Sequence, residues 1–151
     1  MASSLYLPAL HASHAGIWLV GPDGVRPVGR GEAIRAVSDT PHVILNAPLT
    51  GQRLGYPEVS GLDLLELFAF VHPARFVVPT VAGLAGWCGI EAPADEAGQA
   101  ALLPDIANRL LAVLDGDWAE REGAWTSNMT LQRLGWGWAG LVGQRLAKPE
   151  R

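Results

Sequence analysis

The rhythm of apolar and polar residues changes once along this chain, close to Ser60. Before that point, short β-prone runs alternate with turn residues. Leu5 to Ala12 predicts a strand, and Ala15 to Val20 with Val25 to Val28, joined by Gly21-Pro22-Asp23-Gly24, predict a β-hairpin. Glu32 to Val37 carries helical spacing. His42 to Leu45 is a short apolar run that predicts a buried strand, ending at Asn46-Ala47-Pro48, where proline breaks it. After Ser60, the stretches Leu62 to Val71, Thr80 to Cys88, Asp95 to Leu114 and Ser127 to Leu146 all predict helices, separated by Pro, Gly or acidic residues. Ser60, with Asp63 three positions on, forms a capping-box-like pair for the first of these. Asp95, and either Thr126 or Ser127, are N-cap candidates for the last two. Strands first and helices after predict an α/β domain, a mixed sheet from the first half covered by helices mainly from the second half.

Composition narrows the function classes. A chain of 151 residues, 49% hydrophobic and 17% charged, is expected to form one globular domain. Its 11 basic and 15 acidic residues give a net charge of −4, so it lacks the broad positive field of a typical nucleic-acid binder, and any such contact falls to a local surface. One cysteine, Cys88, excludes an intrachain disulfide and a multi-cysteine zinc site. With no Lys or Arg ahead of the first apolar stretch, the start makes a poor signal peptide, and a cytoplasmic location is expected. The run Leu134 to Gly143 is too short to span a bilayer, so no membrane role is expected.

Few residues stand out as carriers of chemistry. His11 and His14 have an H-x-x-H spacing, but on a strand they point to opposite faces and no third metal ligand lies nearby. His42 and His72 read as polar edges of the core. Asp63 and Glu66 share a helical face, although capping already accounts for Asp63. Cys88 reads as a buried thiol. Trp118, Trp125, Trp136 and Trp138 crowd into the last third with Arg121, Arg133 and Arg145, an interleaving that can stack bases and hold phosphates. Trp136 and Trp138 cannot share one helical face, so at least one is expected to pack inward. Arg133, Trp136 and Trp138 are the candidate nucleic-acid contacts. No G-x-x-x-x-G-K-[ST] sequence occurs, and the only lysine is Lys148, so ATP hydrolysis is not expected of this chain.

Four blocks, Val43-Ile-Leu-Asn-Ala-Pro-Leu-Thr50, Gly61-Leu-Asp-Leu-Leu-Glu-Leu-Phe-Ala-Phe-Val-His-Pro73, Thr80-Val-Ala-Gly-Leu-Ala85 and Ala100-Ala-Leu-Leu-Pro-Asp-Ile-Ala107, resemble in order and spacing the 3′-5′ exonucleases of the DEDD-h group. The wording of Gly61 to Val71, Arg121 to Trp125 and Leu134 to Trp138 is similar to the amino-terminal region of DinG-like ATP-dependent DNA helicases of alphaproteobacteria. The resemblance implies an RNase H-like fold. It also implies what is missing, because such enzymes hold two divalent metals with four carboxylates. The first strand has no acid, Leu45 and Thr50 stand where a histidine and a metal-binding aspartate belong, and Ala100 replaces the general-base histidine. Asn46 is kept, and Asp105 is the one surviving, vestigial acid.

The expectation is therefore a degenerate, non-catalytic exonuclease-like domain over residues 1–146, with 147–151 the end of a linker towards a downstream region. It would need no cofactor and would act with the helicase domains of its own protein and with single-stranded DNA. One alternative is a stand-alone cytosolic protein-interaction or oligomerisation domain without nucleic acid. The other is an active metal-dependent 3′-5′ exonuclease built from Glu32, Asp39, Asp63 and Asp105.

Overall fold

Three short strands at the start pair as an antiparallel meander: β1 (Ala9–Ser13), β2 (Gly16–Gly21) and β3 (Gly24–Val28). The computed structural model describes residues 6–116 and 121–146. Gly24 turns the second corner at a φ of +123°, which a side chain would resist. The chain continues through α1 (Arg30–Asp39), β4 (Val43–Ile44), α2 (Ala47–Leu54) and β5 (Leu62–Asp63). β4 lies parallel to β1, with Val43 opposite Ala9, and β5 lies parallel to β4, with Leu62 opposite Val43. Five helices follow: α3 (Leu64–Val71), α4 (Val81–Trp87), α5 (Glu96–Val113), α6 (Arg121–Arg133) and α7 (Ala139–Arg145). The strand order β3-β2-β1-β4-β5, mixed in direction and covered on both faces by helices, is an RNase H-like α/β arrangement.

Period-two alternation along the strands divides the interior. Ala9, Val43 and Leu62 face the larger core, built with α3, α4, α5 and α7, where Leu67, Leu103, Ile106, Leu110 and Trp138 are buried. Leu10, Leu19 and Ile44 face the opposite side and pack against Ala33 and Val37 of α1 and Leu54 of α2.

Several expected elements are in place. The hairpin, the 80–88 helix and the helix capped by Asp95 all form, the last with the Asp95 carboxylate accepting from Gly98 N. Three expectations need correction. Pro48 does not end structure but stands in the first turn of α2, where its missing N–H costs nothing. Residues 62–63 are a strand, so Asp63 is itself the N-cap of α3 rather than the partner of Ser60. The last helix is two: α6 starts at Arg121, which places Thr126 and Ser127 inside it, and Gly135 at a φ of +86° ends it before α7. Trp118 and the expected linker at 147–151 lie outside the described residues. No described helix is long and apolar enough to cross a membrane.

Candidate functional site

After β1 the chain turns to β2 on one side, and after β4 it passes through α2 to β5 on the other. The crevice beyond the carboxyl ends of these two parallel neighbours is where open α/β sheets place ligands. A cavity of about 220 Å³ opens there. His11 and Ser13 line it from the end of β1 and His14 from the turn that follows, so the two histidines, expected on opposite faces of a strand, share one cavity. Leu45 lines it from just after β4, Thr50 and Arg53 from α2, Thr80 from the start of α4 and Gln99 from α5.

The position of α2 depends on Asp63. Its carboxylate accepts from Asn46 N at 3.0 Å, Ala47 N at 2.7 Å and Leu65 N at 2.9 Å, so one buried side chain holds the starts of both α2 and α3. Asn46 sits at a φ of +68°, a conformation asparagine tolerates better than most residues, and its side chain caps Leu49 N. Thr50, one turn on, is buried and donates its hydroxyl to Leu45 O at 3.2 Å. Arg53 is half-buried and forms no ion pair among the described residues.

His11 lies under the first turn of α5. Its Nε2 is 3.3 Å from Glu96 Oε1 but off the hydrogen-bonding direction, and it is a buried nitrogen with no hydrogen-bond partner. Burial holds the imidazole below its ordinary pKa, the Glu96 charge works against that shift, and Arg53 adds to it. Ser13 donates its hydroxyl to the same Glu96 oxygen, which, with the two nearby histidines, keeps the Glu96 carboxyl below the ordinary range.

Trp138, expected at a nucleic-acid surface, is instead fully buried, with Nε1 donating to Asp63 O at 2.7 Å, so the folded chain cannot offer its ring to a base. Trp136 is half-buried; its Nε1 donates to Glu66 Oε1 at 3.1 Å and its ring lies 5.2 Å from that of Phe70. Burial, then the nearby Asp63, raises the Glu66 pKa, and the Trp136 bond opposes them. Arg133 is exposed beside the outward Leu134. Asp105 lies on the solvent face of α5 and does not line the cleft, because that helix turns Glu96 and Gln99 towards β1 instead. His42 Nδ1 lies 2.7 Å from Thr40 O, His72 is stacked among Phe68 and Trp87, and the half-buried Cys88 thiol is pushed up by burial. Glu32 pairs with Arg26. No three His, Cys, Asp or Glu side chains are grouped to hold a metal among the described residues.

Nothing in the sequence linked His11 to Glu96. The signal available was parity, since His11 shares the strand face of Ala9, which looks towards α5. No protein-family model, curated protein or solved structure matches this chain.

Proposed function

We propose that this chain is a non-catalytic, exonuclease-like auxiliary domain of a DNA helicase, which packs on the motor or guides a displaced single strand. One observation carries the reading: the sheet is RNase H-like, yet among the described residues no Asp or Glu lines the cleft beyond β1 and β4, where the polar lining includes His11, Ser13, Thr50 and Arg53, and the neighbouring Glu96 is already engaged by Ser13. Two-metal phosphodiester hydrolysis needs several carboxylates at one point. The helicase part is supported by the wording of Gly61 to Val71 and Leu134 to Trp138, segments that touch through the Trp136 and Trp138 indoles. Arg133 with Trp136 is the surface for the strand. The competing protein-interaction reading draws on exposed Phe76, Val78 and Trp87.

The test incubates the protein with magnesium or manganese and with 3′-recessed and single-stranded oligonucleotides, then titrates labelled strands by fluorescence anisotropy. No shortening is expected. Binding should be weak, should fall between low and physiological salt because the net charge is −4, and should weaken in Arg133→Ala and Trp136→Ala. Processive trimming abolished by Asp105→Ala would overturn the non-catalytic reading. Absence of binding even at low salt would favour the protein-interaction reading.

A further inference from the structure

We propose that the cleft beyond β1 and β4 is a receptor for a phosphate monoester, held by Arg53, His11 and Ser13, and that the Glu96 carboxylate occupies the oxyanion position until the ligand displaces it. The inference rests on the non-catalytic reading of the cleft and gives it a ligand.

The argument begins with the donors that the fold leaves unused. Thr50 spends its hydroxyl on Leu45 O, and Gln99 directs its amide to Pro93 O at 3.3 Å. His11 Nε2 is buried and unpartnered, and the Arg53 guanidinium has no ion-pair partner among the described residues. Both line the cavity. A cleft whose unsatisfied groups are a guanidinium and an imidazole recognises an anion, and a guanidinium fork matches a phosphate.

Glu96 indicates where that anion sits. Its carboxylate accepts a hydrogen bond from the Ser13 hydroxyl and lies against His11 Nε2, so an oxyanion already stands at this point. Its side chain is 29% exposed and starts from the first residue of α5, so it can swing into solvent without disturbing the core. A phosphate taking its place gains the Ser13 hydroxyl and His11 while adding Arg53. The volume, about 220 Å³, is below that of pockets for drug-sized molecules, which fits a small terminal group rather than a whole duplex.

Charge makes the site sensitive to pH. The charged or titratable groups lining the cavity are His11 from β1, His14 from the β1–β2 turn and Arg53 from α2, and Glu96 from α5 lies behind them against His11 and Ser13. A bound dianion favours protonated imidazole, whereas burial holds the His11 pKa below its ordinary value. Affinity should therefore rise as pH falls from 8 towards 6.

The experiment compares one single-stranded oligonucleotide carrying a 5′-phosphate, a 3′-phosphate or neither, in EDTA at low salt, with inorganic phosphate as competitor. The phosphorylated strand should bind about fivefold tighter, and Arg53→Ala should erase that difference. Glu96→Gln should tighten binding about threefold, since it removes the competing charge. Melting curves confirm that the variants are folded. A response to inorganic phosphate alone would assign the same chemistry to the free ion. If neither a terminal phosphate nor inorganic phosphate registers, or if a folded Glu96→Gln does not bind more tightly, the proposal falls. Trimming in magnesium with the phosphate preference intact in EDTA would instead overturn only the non-catalytic reading.

Discussion

Asp63 joins two helix starts that lie far apart in the chain, and its carboxylate is committed to three backbone N–H donors. Replacing it with alanine strands those donors in a buried position. Asp63→Ala is expected to lower unfolding free energy in urea by about 3 kcal/mol, while Glu66→Gln, on the exposed side of α3, should change it by less than about 0.5 kcal/mol. Equal effects would show that the carboxylate does not hold both starts. The same residue shows how far the site was legible from sequence. A capping role for Asp63 follows from its place before an apolar run, but its hold on Asn46 crosses 17 positions and leaves no local pattern. Likewise, one of the two late tryptophans had to point inward, yet only the fold reveals that Trp138 does so and that Trp136 stays at the surface.

At the scale of elements, α4 is short and lies close to the segment before it. A Cβ at Gly83 would stand 2.1 Å from Val78 O, whereas one at Gly86, three residues along the same helix, would meet nothing within 4 Å. Gly83→Ala should therefore destabilise the domain by about 2 kcal/mol, and Gly86→Ala should stabilise it by up to about 1 kcal/mol, as read from thermal melts. Both substitutions moving the melt in one direction would contradict this packing. Strands β1 to β4 and helices α1, α4 and α5 are legible because each has its own periodicity or cap. β5 is not, because two strand residues directly ahead of Leu64 merge with a helical apolar pattern. α2 is hidden by Pro48, which reads as a breaker although it is favourable in a first turn. Gly135 to Gly137 lie within apolar spacing that continues across the break, so α6 and α7 appear as one helix.

At the scale of the whole molecule, the sheet separates two cores of unequal size. Among the described residues, twenty-one buried side chains lie on the α5 side and seven on the side of α1 and α2. That imbalance implies an order of opening. Local unfolding costs least where few apolar contacts hold an element, so the α1–α2 layer should detach while α3, α5 and the sheet remain folded. In native-state hydrogen–deuterium exchange, amides of α1 should exchange through a partial opening well before those of α5, and simultaneous exchange of both would show a single cooperative unit. Because α2 carries Arg53 and Thr50 into the cleft, ligand held there would have to slow exchange in α2 itself, tying occupancy of the crevice to the survival of the thinner layer.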